Sequence, residues 1–242
     1  MSTENPAYSH VEPLNSPGDV IGAVTIDNVI FGLERGRLRV LLVRHREGIR
    51  EGQWGLPGGW IYRDENLRDA AIRLLRDLTG IDDIFLEQLK TFGRVDRFPS
   101  ERVVTVAYSA LVSAEHYKAL KAGFTAAEAA WFEVAHLPEL IYDHAEILAE
   151  GTRQLKYKVR HEPVGFNLLP EKFTLYELQQ LYETVLEIKI DKPNFRRKMM
   201  KMNLLVACGE KQKGVAHRAA NLYRFDPERY RQLCSQGFSF EI

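Results

Sequence analysis

Runs of alternating and helically spaced apolar residues divide the first part of the chain into short elements. Apolar positions before and after the turn Glu34–Arg37 predict a β-hairpin. Residues 67–78 instead repeat their apolar side chains at helical spacing, and Gly80 follows where a helix would end. The predicted strands cover 20–27, 29–33, 38–44, 85–92, 103–112 and 124–132. With a further helix over 143–156, these elements predict an α+β domain.

The pattern changes beyond residue 166. Thr174 and Glu177 have the spacing of a capping box, which predicts a helix over 175–185. Asp191 and Pro193 are typical of the start of a second helix, which runs to Met202. Two short strands are predicted after it, at 204–208 and 221–225, flanking a polar basic loop at Gly209–Gly214.

Charge is distributed unevenly, although the whole chain has 33 basic and 33 acidic residues. Residues 1–165 hold 20 Lys and Arg against 24 Asp and Glu, whereas 166–242 hold 13 against 9. Within 189–224 the imbalance rises to 10 against 2. Such a stretch favours a nucleic-acid surface, and a solvated basic face is the alternative interpretation.

The domain boundary is predicted at 161–165, where Pro163 and Gly165 interrupt the pattern and the charge balance changes sign. The chain then divides into a flexible leader, a larger α+β domain and a smaller C-terminal domain. Their predicted ranges are 1–17, 18–160 and 166–242.

Composition favours a cytoplasmic protein. No apolar run reaches the roughly 20 residues that a membrane span requires, and residues 1–17 lack the pattern of a signal peptide. The two cysteines, Cys208 and Cys234, are too few for a four-ligand zinc site or a disulfide framework. Both are expected to be buried, inert thiols in a reducing compartment.

One segment resembles the Nudix box, the G-x5-E-x7-R-E-U-x-E-E-x-G-U motif of Nudix hydrolases, in which U is aliphatic. The preceding Leu56–Gly59 is also typical of that family. The positions that match at the correct spacing are Gly59, Glu65, Arg73, Leu75, Gly80 and Ile81. The resemblance implies an α/β/α sandwich with a mixed sheet over roughly 18–158.

The catalytic part of the motif departs from the family pattern. Where Nudix hydrolases place three metal-binding carboxylates, this chain has Leu74, Asp77 and Leu78. Because Mg²⁺ and Mn²⁺ need a shell of oxygen ligands, we predict no metal site, no catalytic residues and no hydrolase activity. The alternative is a hydrolase of ADP-ribose or a related nucleoside-diphosphate sugar, with a metal site relocated to Asp64 or Asp69.

Several charged residues between two predicted strands are candidates for ligand binding. Guanidinium groups at 94, 97 and 102 could bind phosphate or a cluster of hydroxyls, and a salt-bridged loop is the alternative. Tyr142-Asp143-His144 is interpreted as a helix cap, and a ligand contact is the alternative. The predicted effector-binding residues, one of them from the Nudix box, are Glu65, Arg94, Asp96, Arg97 and Arg102.

The second domain completes the resemblance. Several short segments are similar to the winged-helix domain of the Nudix-related transcriptional regulators. They include Leu168-Leu169-Pro170, Phe173-Thr174-Leu175 and Asn194–Lys198. That family combines a degenerate Nudix domain with DNA binding. Its members include regulators of NAD biosynthesis that respond to ADP-ribose and sugar-responsive regulators of pentose use. The resemblance therefore implies a ligand-responsive DNA-binding regulator without a cofactor, whose effector is ADP-ribose-like or a pentose.

The predicted recognition helix has the two faces that major-groove binding needs. Phe195, Met199 and Met202 form a packing stripe, and polar or basic residues occupy the remaining positions. A basic protein-interaction face is the alternative. The predicted DNA-binding residues on this helix and on the wing are Lys192, Asn194, Arg196, Arg197, Lys198, Lys201, Lys211, Lys213, His217 and Arg218.

A winged helix of this size is expected to bind a palindromic operator as a homodimer, with paired Nudix domains setting the separation of two recognition helices. Two functions from other classes remain open at this point. One is a hydrolase that uses the basic domain for dimerisation, and the other is an adaptor that binds neither DNA nor a small molecule.

Overall fold

The structure is a computed structural model, and it describes residues 23–46, 50–82, 84–112, 117, 120, 126–214 and 218–242. The strands are β1 (Ala23–Glu34), β2 (Arg37–His45), β3 (Trp54–Gly55), β4 (Gly58–Trp60), β5 (Glu87–Phe92), β6 (Val103–Val112), β7 (Ala126–Glu133), β8 (Leu205–Lys211) and β9 (Asn221–Phe225). The α-helices are α1 (Leu67–Thr79), α2 (His144–His161), α3 (Leu175–Leu186), α4 (Lys192–Met202) and α5 (Pro227–Ser235), and a 3₁₀ helix covers Pro163–Leu168.

A mixed sheet forms the centre of the first domain. In the described part of the chain it has seven strands, with β3, β2, β1, β6 and β5 as neighbours in that order. β1 is antiparallel to β2 and β4 but parallel to β6. The predicted hairpin is confirmed, with Leu33 opposite Leu38 in its register.

Helices cover both faces of this sheet because neighbouring residues of each strand point to opposite sides. On one face, Ile26, Ile30 and Leu41 pack with the buried side of α1. On the other, Val29 and Phe31 pack with the buried side of α2. The predicted α/β/α sandwich with a mixed sheet is thus confirmed.

The predicted helix signals of the second domain are confirmed as well. Thr174 Oγ1 accepts a hydrogen bond from Glu177 N at 3.1 Å, and Thr174 N donates to the Glu177 carboxylate at 2.7 Å. Asp191 Oδ1 accepts from Asn194 N at 3.0 Å at the start of α4. Of the predicted stripe, Phe195 and Met199 are buried and Met202 is partly buried.

Some boundaries differ from the prediction. α2 continues to His161 instead of ending at residue 156, and β8 extends to Lys211, which shortens the predicted polar loop. Helix α5 was not predicted from the sequence, and its N-cap Asp226 accepts a hydrogen bond from Arg229 N at 3.0 Å. The predicted leader 1–17 and the predicted strand residues 20–22 and 124–125 lie outside the described residues. The prediction that both cysteines are buried is wrong, because Cys208 is only partly buried on β8 and Cys234 is exposed on α5.

The two domains share one apolar core. Residues of β1 and α2 belong to the same buried cluster as Phe166, Leu181 and Phe195 of the second domain. Thr184 Oγ1 donates a hydrogen bond to the backbone oxygen of Gly36 in the β1–β2 turn at 2.8 Å. The second domain is therefore packed directly on the first. None of the helices in the described part of the chain has the length and apolar character of a bilayer span.

Candidate functional site

Glu65 and Arg73, two of the positions that match the Nudix box, form a two-pronged ion pair. Arg73 Nε and Nη2 donate to the Glu65 carboxylate at 2.8 and 2.5 Å, and Nη2 also donates to the backbone oxygen of Trp60 at 3.0 Å. The hydrogen bond to Arg73 is the main reason that the pKa of Glu65 is lowered, and the same bond raises the pKa of Arg73. These contacts brace the segment between β4 and α1.

Packed leucines fill two of the three metal-binding positions of the box. Leu74 is 8% exposed and Leu78 is 7% exposed, and both lie in apolar clusters. A Cβ added at Gly59 would lie 2.9 Å from Leu74 Cδ2, so the leucine side chain reaches up to the glycine backbone. Asp77 pairs with Arg76 at 3.3 Å instead.

This donor set does not fit a catalytic magnesium or manganese ion. Two of the three positions provide hydrocarbon where the ion needs oxygen. Asp69, considered for a relocated site, accepts a hydrogen bond from Asn66 Nδ2 at 2.9 Å. Among the described residues, no three His, Cys, Asp or Glu side chains gather closely enough to hold a metal ion.

A cavity of about 340 Å³ lies on the α2 side of the sheet, away from the buried face of α1. Trp60, Phe98 and Tyr142 contribute aromatic rings to its wall. The ring centroid of Phe98 lies 6.1 Å from that of Trp60 and 4.9 Å from that of Tyr142. The Arg50 guanidinium lies 5.2 Å from the centre of the Tyr142 ring. These flat surfaces and a cation suit a ligand with an aromatic base and negative charge.

A buried charge network of Arg97, Asp143 and Asp27 forms part of the cavity wall and packs behind it. Arg97 donates to both oxygens of Asp143 at 2.9 and 2.8 Å and to Asp27 at 3.3 Å. Only 4% of the Arg97 side chain is exposed, so two carboxylates surround a desolvated cation. Asp143 is the N-cap residue of α2, but its side chain makes no capping hydrogen bond. The interpretation of Asp143 as a helix cap is therefore wrong for its side chain, which is held by Arg97.

His144 joins the same network. Its Nδ1 accepts a hydrogen bond from Leu56 N at 2.9 Å, and its Nε2 lies 3.4 Å from Asp27 Oδ1. Burial lowers the pKa of His144, against the opposing effect of Asp27. The neutral ring, with its proton on Nε2 facing Asp27, satisfies both contacts.

Three residues of the cavity wall have buried polar atoms without a hydrogen-bond partner among the described residues. They are Thr25 Oγ1, His45 Nε2 and Arg50 Nε. Burial is the main cause that lowers the pKa of His45, and the neighbouring His144 lowers it further. Unsatisfied polar groups are uncommon in protein interiors and frequently mark a site for ligand or water.

Of the residues predicted to bind the effector, Arg97 is in the cavity wall, where both carboxylates already engage it. Arg94 pairs with Asp96 at 2.8 Å, and Arg102 donates to the backbone oxygens of Gly93 and Arg94 at 2.6 and 3.1 Å. These three and Glu65 lie outside the cavity wall. Their part in effector binding stays a prediction, while their contacts fit the alternative of a salt-bridged loop.

Sequence reasoning missed most of the cavity. The wall residues it did not single out include Asp27, His45, Arg50, Trp60 and Phe98. One signal was present, because Asp27 is the only charged residue in the mainly apolar stretch 20–33. A charged residue on a buried strand commonly has a paired partner or a function.

A second surface combines α4 with the β8–β9 wing. The predicted residues of α4 are all exposed. Arg197 Nη2 donates to Asn194 Oδ1 at 2.6 Å, which orients both side chains. No basic residue of α4 lies within 4.0 Å of a described carboxylate, so these cations are available to an external anion. On the wing, Lys211, Lys213 and Arg218 are exposed, and His217 lies outside the described residues.

Comparison with known proteins agrees with this arrangement. Residues 24–155 match the NUDIX domain family, and residues 165–225 match the NrtR DNA-binding winged helix domain. The ADPR responsive transcriptional repressor NtrR of Acinetobacter baylyi is 34% identical over 209 residues, covering 86% of this chain and 83% of the relative.

Two crystal structures from Shewanella oneidensis are similar. NrtR complexed with a 27mer DNA has a TM-score of 0.74 at 32% identity, over 90% of this chain and 97% of that one. The NUDIX domain of the same protein complexed with ADP ribose has a TM-score of 0.52 at 31% identity, over 58% and 93% of the respective chains.

A Nudix domain joined to a DNA-binding winged helix defines the class of Nudix-related transcriptional regulators. The chain belongs to the NrtR family of that class. The predicted family, fold class and regulatory function are confirmed.

Proposed function

We propose that this chain is an ADP-ribose-responsive repressor that binds its operator as a homodimer and does not hydrolyse its effector. The proposal rests on two features of the first domain, a ligand-sized cavity and the replacement of metal-binding carboxylates by leucines. A cavity lined by aromatic rings and a few charged side chains is present on the α2 side of the sheet, while leucines fill two of the three metal-binding positions of α1. The domain can therefore bind a small molecule in its cavity. It lacks the oxygen-bearing side chains that would coordinate the metal ions needed to hydrolyse that molecule.

ADP-ribose suits the chemistry of the cavity better than a free pentose. Its adenine can stack on the rings of Trp60, Phe98 or Tyr142, and its diphosphate can accept from the Arg50 guanidinium. A pentose has hydroxyls but neither of these groups. The relatives favour the same ligand, since one is described as ADPR responsive and another was crystallised with ADP ribose.

The surface of α4 and the wing supports operator binding. The exposed arginines and Asn194 carry the groups that bind guanine and adenine edges in the major groove, and the lysines can neutralise phosphates. The similar Shewanella oneidensis protein was crystallised with a 27mer DNA. A homodimer would place two such helices on the two halves of a palindrome.

The test is fluorescence anisotropy with duplexes from the region flanking the gene, at one fixed salt concentration. Saturating ADP-ribose is expected to change the dissociation constant for the operator roughly 5- to 150-fold, the range of ordinary coupling between two sites. AMP, ribose 5-phosphate and free pentoses serve as controls. Equal operator affinity with and without ADP-ribose would show that ADP-ribose is not the effector. A response to a pentose alone would show that the effector is a pentose.

A further inference from the structure

Helix α2 extends from the effector cavity to the winged helix. Tyr142 and His144 line the cavity at its beginning. At its end, Glu162 leads directly into the 3₁₀ helix Pro163–Leu168, with which the second domain begins. α2 has 18 residues, which at about 1.5 Å each makes it about 27 Å long. One continuous element therefore touches both functional regions.

The beginning of α2 is tied to the cavity wall by buried polar contacts. Asp143 is held by Arg97 from the loop after β5, and His144 accepts a hydrogen bond from Leu56 N at 2.9 Å. These bonds connect segments that are 46 and 88 residues apart in the chain. A shift of the wall on ligand binding would consequently displace the start of the helix.

Tyr142, which precedes these two residues, has a backbone conformation that is rare for a bulky side chain. Its φ is 50°, in the left-handed region. Its ring lies 4.9 Å from Phe98 and 5.8 Å from His144, so it bridges the cavity and the first turn of α2. Strained residues of this kind are frequent at ligand clamps and switch regions.

The far end of α2 is attached to the winged helix on several sides. Lys156 pairs with Glu187 at the end of α3 at 2.7 Å, and the backbone oxygen of Arg160 accepts from Ile242 N at 3.0 Å. Phe166 of the 3₁₀ helix stacks on Phe225 of β9, with centroids 4.4 Å apart and planes at 15°. A displacement of α2 along or about its axis would therefore move the domain that bears α4.

We infer that Tyr142 contacts the effector and that α2 transmits the resulting displacement to the winged helix. The inference rests on the proposed function, because it needs an effector in the cavity. α2 contains no proline and is one unbroken helix of 18 residues, so a shift at one end is not absorbed by a break within it. Tyr142 is on this account an effector-contacting residue whose ring also packs against His144 in the first turn of α2.

Tyr142→Asn tests the first half, with Tyr142→Phe as the matched control. Asparagine tolerates the left-handed backbone but removes the ring, whereas phenylalanine keeps the ring. For Tyr142→Asn, the ratio of operator dissociation constants with and without saturating ADP-ribose is expected to fall to about 1–2 from the roughly 5- to 150-fold range of coupled sites. Tyr142→Phe is expected to keep the wild-type ratio. A full response of the asparagine variant at saturation would overturn the role of Tyr142.

Insertion of Gly-Ser-Gly between Glu162 and Pro163 tests the second half. The insertion interrupts the connection after α2, and the same insertion between Ala135 and His136, in an exposed turn, is its control. Titration calorimetry with ADP-ribose and anisotropy without it are expected to give affinities close to wild type for both variants. Only the insertion at 162 is expected to lose the ADP-ribose-dependent change in operator affinity.

The outcomes separate this inference from the proposed function. If the wild-type chain binds ADP-ribose but its operator affinity does not change, the proposed function fails before any variant is compared. If the wild type responds and the insertion at 162 responds equally, transmission through the covalent junction between α2 and the 3₁₀ helix is wrong, while the proposed function stands. Loss of ADP-ribose binding by the insertion at 162 would equally contradict a purely transmitting role for α2.

Discussion

Arg97→Leu is expected to lower the free energy of unfolding by about 3–5 kcal/mol, the usual cost of removing one partner from a buried ion pair. The Arg97 side chain is 4% exposed, and its partners Asp143 and Asp27 are 2% and 7% exposed. Leucine would leave two buried carboxylates without their shared cation. The loss arises from uncompensated buried charge, because leucine replaces most of the apolar stem of arginine.

Urea unfolding followed by circular dichroism measures this loss. For a chain of this size the melting temperature should fall roughly 2–4 °C for each kcal/mol. Arg94→Leu, in the same loop, is the matched control, because the Arg94 side chain is 61% exposed and its ion pairs lie at the surface. It should change stability by less than about 1 kcal/mol. A similar small loss for Arg97→Leu would contradict a supporting role for the buried network.

Replacing Arg196 and Arg197 together with alanine is expected to weaken operator binding on the order of 100-fold, since a good bidentate base contact contributes about 1–3 kcal/mol. Both side chains are exposed on α4, whose buried side is formed by Phe195 and Met199. The substitution should leave the fold intact because neither arginine is part of the apolar core.

Anisotropy titrations at several salt concentrations provide the measurement. Loss of phosphate or base contacts should also reduce the slope of log affinity against log salt. Arg153→Ala is the control, because Arg153 is an exposed arginine of α2 that pairs with Glu150. Operator affinity of the double variant within about twofold of wild type would assign DNA binding to another surface and revive the alternative of a protein-interaction face.

Elements governed by local patterns could be predicted from the sequence. The helical spacing of residues 67–78 gave α1 within one residue, and Gly80 ends it with a φ of 75°. The capping box at Thr174 and the cap at Asp191 are local signals, and both form in the structure. Such features depend on residues three or four positions apart, so a single sequence contains the information.

The cavity depends on residues that are distant in sequence and was predicted poorly. Arg97 and Asp27 are 70 residues apart, and their contact exists because the loop after β5 folds over the start of β1. The same charged loop contains Arg94 and Arg102, whose side chains bond to neighbouring carboxylates and carbonyls outside the cavity. Charge alone could not separate these arginines, because burial and direction are set by tertiary packing.

The fate of ADP-ribose is the most direct test of ligand capture without hydrolysis. The purified chain would be incubated with ADP-ribose and either Mg²⁺ or Mn²⁺, and the nucleotides separated by chromatography. ADP-ribose is expected to be recovered intact, because Leu74 and Leu78 offer no oxygen to the ions that cleavage requires. Release of AMP and ribose 5-phosphate over many turnovers would contradict binding without hydrolysis and would show that the chain is a hydrolase.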